Sequence, residues 1–316
     1  MILFDFFKCN QDELLDSFCS YFDMDITQTK EYFDKCDWRE TNAVDLIRGL
    51  NIDLSKHMDK DAFCIGCHLT TTTQDGIALF RQNGIYNLAQ ILCGNNDLSR
   101  LLYKRGILID YYGESIEIDG KTYTLDFVDS GKCRFCLKGN KEPCGSIFAC
   151  DVKKKLNVLK VKLYEYSATT EFFISGSLDE MKRYSTVARY PEILYTLEEL
   201  CYVLNIGRRV SLPTEWKKDH QTCIAIKFYV NIADMETFNP CSLEAWFRDY
   251  GECITNSGFN SDDYYMGQIP KKVFDNFFIV DKMVSFYEFG SNEKYGSLLP
   301  DLYIQPSQII EINQIN

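Results

Sequence analysis

"AFCIGCHLTTTTQDGIALFRQNGI", residues 62–85, decides how this chain is read. Its first part, "FCIGCHL", is a short apolar run of the kind that forms a buried strand. Four threonines follow, and "TQDGIALFRQNG" then reads as a helix of about three turns, stopped at Asn83-Gly84. The strand carries His68, one of three histidines in the chain, directly after the C-x2-C pair Cys64 and Cys67. On residue type alone His68 has three readings: a metal ligand, a catalytic group, or a polar residue satisfied within the core.

Residues 1–56 read as three short helices. "DELLDSFCSYF" places Leu14, Leu15, Phe18, Tyr21 and Phe22 at helical spacing, "DITQTKEYFDKC" opens on a cap signal, and "RETNAVDLIRGL" ends on Gly49 and Leu50. The stretch "FDMDITQTKEYFDKCDWRETNAVDLIRGL" resembles a UBA-like three-helix module, and that likeness implies a protein partner for this end of the chain. A plain helical lead-in packed on the main domain is the alternative.

Downstream, "NLAQILCG" and "DLSRLLYKRG" are two further helices stopped by glycine. "ESIEIDGKTYTLDF" is a hairpin turning at Asp119-Gly120, a pair suited to a tight two-residue turn. "TTEFFISG" reads as a strand, and residues 177–204 as two helices with Pro191 at the start of the second. "CIAIKFYVNI" and "MVSFYEF" both read as strands. Strands separated by unequal helices, without regular βαβ alternation, predict an α+β fold with a mixed or antiparallel sheet. No G-x-G-x-x-G or P-loop is present, which argues against a Rossmann or P-loop nucleotide site.

A chain of 316 residues with 46% hydrophobic and 25% charged residues supports a full core. Its formal net charge of −12 disfavours binding nucleic acid through a general surface field. Lys153, Lys154, Lys155, Lys160 and Lys162 leave a local basic groove as an alternative to a solvated face. The opening residues lack a basic n-region and a cleavage site, and no apolar run could span a bilayer. The expectation is a cytoplasmic protein that makes no membrane contact.

Fourteen cysteines in such a compartment are expected as thiols. Eight are scattered and read as small core residues. Cys133, Cys136, Cys144 and Cys150 instead form C-x2-C-x7-C-x5-C beside glycine and proline. Two thiolates two residues apart on a tight turn supply half of a tetrahedral site, so a structural zinc held by these four is expected. Cys64 and Cys67 could supply the second half in place of Cys144 and Cys150, or could be buried in their strand.

The unit of His68, Thr70, a helix carrying Ile77, Leu79 and Phe80, and Gly84-Ile85 resembles the first motif of the ADP-ribosyltransferase superfamily of H-Y-E type. That superfamily also includes RNA 2′-phosphotransferases and nucleic-acid-modifying toxin transferases. The resemblance implies that NAD is the substrate and that His68 bonds a ribose hydroxyl. Thr70 and Thr71 would help to hold the dinucleotide, and aromatic side chains would sandwich the nicotinamide. For that second motif "EFFISGSLDEMKRYSTVARYPEIL" offers Phe173, Tyr184 and Tyr190, with Tyr184 first. The third motif, a glutamate before an Ile-Pro turn, corresponds to "SDDYYMGQIPKKVF". Here Asp262 and Asp263 stand where glutamate is expected, and Gln268 lies nearer the turn Ile269-Pro270. Aspartate is one methylene shorter, so this departure puts catalytic competence in question.

The expected organisation is a helical module over 1–56 and an ADP-ribosyltransferase-like domain over 57–316, with a Cys-rich insert near 130–151. ADP-ribose would pass to a protein or nucleic-acid acceptor. The rival is a non-catalytic, zinc-stapled interaction protein that binds a protein partner or a nucleotide. His57 and His220 read as surface residues, and Trp216 and Trp246 as packing anchors.

Overall fold

The computed structural model describes residues 1–8, 10–57, 59–125, 151–165, 170–184, 186–204, 211–237, 269–290 and 294–315. In chain order the first half contains β1 (Ile2–Phe4), α1 (Gln11–Phe22), α2 (Ile26–Phe33), α3 (Ala43–Gly49), β2 (Ala62–Thr72), α4 (Gln74–Asn83), α5 (Leu88–Cys93) and α6 (Asp97–Lys104). Next come β3 (Ile107–Asp110), β4 (Ser115–Ile118), β5 (Lys121–Thr124), α7 (Asp151–Lys160), β6 (Glu171–Ser175), α8 (Leu178–Arg183) and α9 (Glu192–Val203). The chain closes with α10 (Leu212–Asp219), β7 (Thr222–Asn231), α11 (Lys271–Phe289), β8 (Lys294–Ser297) and β9 (Ile309–Ile315).

The main sheet runs β8-β6-β2-β7-β9 with β1 parallel to β2, and an antiparallel sheet runs β3-β4-β5. The fold is α+β. Among the described residues no helix is long and apolar enough to cross a membrane. The chain divides into two compact units. One comprises Met1–Cys67, Phe172–Met181 and Lys227–Leu298, and the other His68–Glu171, Lys182–Ile226 and Leu299–Asn316. The expected boundary near residue 56 therefore falls inside the first unit.

In the first unit α1 to α3 form where their caps and apolar spacing place them. Asn10, Asp25 and Asn42 each accept a backbone N–H with the side chain, which satisfies donors the helix itself cannot. Phe18 packs on Phe22 and Phe33 with ring centroids 4.9 and 5.9 Å apart. The same helices meet α11, where Tyr21 donates its hydroxyl hydrogen to Asn276 Oδ1 at 2.6 Å. Asn276 Nδ2 in turn donates to the carbonyls of Leu54 and Lys56. These bonds satisfy a fully buried amide whose isolation would be costly.

Two expectations need correction here. "MVSFYEF" is the last two turns of α11 rather than a strand. Val273, Phe277, Val280, Met283, Val284 and Phe286 are all buried, so the helix is apolar on more than one face and its period is masked. His57 is no surface residue: its ring lies against those of Tyr21 and Phe22, and Nδ1 is 3.3 Å from Asp23. Its backbone is left-handed, with φ of 62°.

The second unit has its own core, in which Leu102, Ile116, Ile118, Leu156, Leu159, Leu194, Leu197 and Trp216 pack together. Trp216 is thus the anchor it was expected to be. The hairpin of β4 and β5 turns at Asp119 and Gly120, both with positive φ, as a type I′ turn requires. Helix α7 buries Val152, Leu156 and Leu159. Of the five lysines on and after it, Lys155 pairs with Glu199, Lys160 with Glu114 and Lys162 with Glu192. Three of the five charges are therefore met within the unit, which weakens the case for an open basic groove.

Candidate functional site

His68 sits on β2 in the second unit, half-buried. Its Nδ1 lies 3.0 Å from the carbonyl oxygen of Glu171. A carbonyl can only accept, so Nδ1 carries the hydrogen, and in the neutral ring Nε2 is then the acceptor. Burial lowers the pKa of His68, with the Glu171 carbonyl opposing, and this favours the neutral ring. The neutral ring so favoured offers one lone pair, at Nε2, which suits a ligand hydroxyl and not a phosphate.

The threonines after it divide by strand alternation. Thr70, on the same face of β2 as His68, is half-buried. Thr71, on the opposite face, is buried and accepts a hydrogen bond from Trp216 Nε1 at 2.8 Å. That bond takes one of the two acceptor positions of its hydroxyl. Thr73 caps α4, accepting from the backbone N–H of Gly76 at 3.1 Å. The helix ends at Gly84, with φ of 84°, and Ile85 exchanges two backbone hydrogen bonds with Ile304. An added Cβ at Gly84 would meet the Ile304 carbonyl, so glycine is required there twice over.

Trp216 extends this polar chain. His220, expected at the surface, is buried and stacks on Trp216 with ring centroids 3.6 Å apart. Its Nδ1 lies 3.1 Å from the Trp216 carbonyl and its Nε2 3.1 Å from Asp97. The reason for the correction is local. His220 follows the last residue of α10, where side chains fold back on the final carbonyls. Burial raises the Asp97 carboxyl, yet hydrogen bonds from Arg100 and His220 outweigh it and hold the pKa below its ordinary value.

The other expected site residues are dispersed. Tyr184 follows α8 and is 41% exposed. Tyr190 is half-buried, with the Lys217 ammonium 4.7 Å above its ring. Both belong to the unit of His68, whereas Phe173 belongs to the first unit, where it is buried with its ring 5.1 Å from that of Tyr295. Asp262, Asp263, Gln268, Trp246 and the four cysteines Cys133, Cys136, Cys144 and Cys150 lie outside the described residues. The Ile269-Pro270 turn is described: Ile269 is buried and Pro270 caps α11.

Cys64 and Cys67 are fully buried in β2, and burial pushes the Cys64 thiol well up, away from the thiolate a metal needs. Three residues apart on a strand, they point to opposite faces and cannot share one ion. The reading as buried core cysteines holds for this pair. It fails for Cys93, which is exposed at the end of α5. Among the described residues no three His, Cys, Asp or Glu side chains come together as a metal site.

Two features escaped the sequence. Glu171 anchors His68 through its backbone, which no side-chain pattern can signal. Desolvation raises its own carboxyl, with Lys162 opposing and Glu192 adding. The second is a cavity of about 550 Å³ lined by Leu92, Ser99, Arg100, Leu102, Tyr103 and Ile109, none of them an expected site residue. Compared with protein-family models, curated proteins and solved structures, the chain matches none.

Proposed function

We propose that this chain is an ADP-ribosyltransferase-like protein of the cytoplasm that cleaves NAD at the nicotinamide glycosidic bond and passes ADP-ribose to a macromolecular acceptor. One observation carries it: His68 Nδ1 bonds the Glu171 carbonyl, which leaves Nε2 as the acceptor of the neutral ring that burial favours, on a strand followed by the capped helix ending at Gly84-Ile85. His68 would accept a ribose hydroxyl while Thr70 lies beside it. Of the three candidate aromatics Tyr184 is the most exposed, and it would meet the nicotinamide. Asp262 and Asp263 would stabilise the positive charge that develops as nicotinamide leaves. Cys133, Cys136, Cys144 and Cys150 would hold a structural zinc.

The test is nicotinamide release from NAD by the full chain, with His68→Ala as control and zinc content read on the same protein. Release that His68→Ala abolishes while keeping its fold supports the transferase. No release, even with cell extract as acceptor, together with no NAD binding by calorimetry, rejects it.

A specific observation favours the rival, a non-catalytic interaction protein. The Thr71 hydroxyl and one nitrogen of His68 both bond within the fold. In that case His68→Ala lowers stability and changes no nucleotide binding.

A further inference from the structure

Among the described residues one buried side-chain oxygen has no hydrogen-bond partner: Thr170 Oγ1, on a residue only 4% exposed. A hydroxyl taken from water without a partner loses hydration and gains nothing, so its presence calls for an explanation. Thr170 immediately precedes Glu171, whose carbonyl holds His68 Nδ1. The orphan oxygen is thus one residue from the anchor of the site histidine. β2 and β6 are antiparallel with Cys67 paired to Phe173, so beyond that pair His68 and Thr70 run on one strand toward the end of the other that carries Glu171 and Thr170, and Thr70 shares its face with His68.

We propose that Thr170 is a ligand-binding residue of the His68 site, its hydroxyl meeting a hydroxyl of a neutral polyol of the ribose type. This rests on the transferase reading, in which the ribose belongs to NAD or to ADP-ribose. The chemistry is consistent across the cluster. His68 Nε2 only accepts, whereas the Thr70 and Thr170 hydroxyls both donate and accept. Neither these hydroxyls nor the neutral imidazole brings the fixed positive charge that selects phosphate. Adjacent hydroxyls on a sugar supply both donors and acceptors, and a sugar pressed against Thr170 would satisfy the orphan oxygen.

The experiment compares the full chain with Thr170→Val and Thr170→Ser in three measurements: thermal melting, ADP-ribose binding by calorimetry, and nicotinamide release from NAD. Valine keeps the shape and removes the orphan, so Thr170→Val should melt no lower than the wild type, and up to about 4 °C higher. Its ADP-ribose affinity should fall roughly tenfold or more, and Thr170→Ser should restore it. A lower melting temperature for Thr170→Val means that the hydroxyl is already paired in the free protein, and overturns the assignment. Unchanged ADP-ribose affinity overturns it too, as does a wild type that binds no ADP-ribose. If valine prevents folding, Thr170→Ala carries the same comparison. The two ideas fail separately. Nicotinamide release that persists in Thr170→Val removes Thr170 and keeps the transferase. ADP-ribose binding that depends on Thr170, without any release, keeps Thr170 and removes the transferase.

Discussion

The indole N–H of Trp216 donates to the Thr71 hydroxyl at 2.8 Å, tying α10 to the strand that presents His68. The contact lies three residues from the histidine, and both partners are buried. The position of the strand end thus depends on a tryptophan far away in sequence.

Thr71→Val should therefore be costly although it is nearly isosteric. It leaves a buried indole N–H without an acceptor, a loss of about 1–3 kcal/mol. Urea unfolding of Thr71→Val, Trp216→Phe and the double variant should show a coupling of about 0.5–3 kcal/mol. Additive losses would mean that the bond contributes nothing of its own.

Stability should depend on pH through His68 and His57. Burial lowers both pKa values, with Lys60 adding to the effect at His57. A histidine lowered in the folded state binds fewer protons there than when unfolded. Its contribution is present above the unfolded pKa of about 6.5 and is lost as pH falls through the folded value. Unfolding midpoints should drop between about pH 7 and pH 5, and His68→Gln should flatten part of that slope. A midpoint independent of pH in this range would contradict the neutral ring.

Asp97 acts at lower pH. Its carboxyl is held down by Arg100 and His220 against the opposing effect of burial, so its contribution is present above about pH 4 and fades below it. Asp97→Asn should lose stability at neutral pH and lose less than the wild type on acidification. Chemical unfolding of the pair at several pH values from 3 to 7 checks this, and parallel curves would reject it.

Gly84→Ala should be destabilising by more than about 1 kcal/mol, since alanine is strained at positive φ and its Cβ would meet the Ile304 carbonyl. Faster hydrogen exchange should appear at Ile85 and Ile304, which bond each other's backbones.

Thiol reactivity gives a further check. Exposed Cys93 should be alkylated in the native protein well before Cys64, which is fully buried. Cys201, with its pKa pushed up to about 11 by burial first and then by Asp119 and Glu198, should also lag. Mass spectrometry after timed alkylation distinguishes these sites.

Much of the local structure was legible because its signals are local. Asp25 caps the helix it precedes, and Asp119-Gly120 turns its hairpin, since each acts on a backbone only a few residues away. What failed depended on distant partners. "MVSFYEF" has no period because α11 is buried on several faces. His57 and His220 look like surface residues until Tyr21, Phe22, Trp216 and Asp97 are brought to them. At the site, the strand, the helix after the threonines and its Gly84 stop could be read in advance. The tie to Glu171 could not, because a backbone carbonyl has no letter in the sequence.

The bond from Tyr21 to Asn276 joins residues 255 positions apart, and it has a consequence for synthesis. The helices of 11–49 lie in a unit that is completed only by residues 227–298. At 5–20 residues per second, they wait roughly 10 to 45 s on the ribosome after residue 67 for those partners to be made. Through that interval Tyr21 lacks Asn276, and Phe33 and Trp38 lack Tyr287, their partners on α11. The nascent chain is then most open to aggregation and most in need of a chaperone.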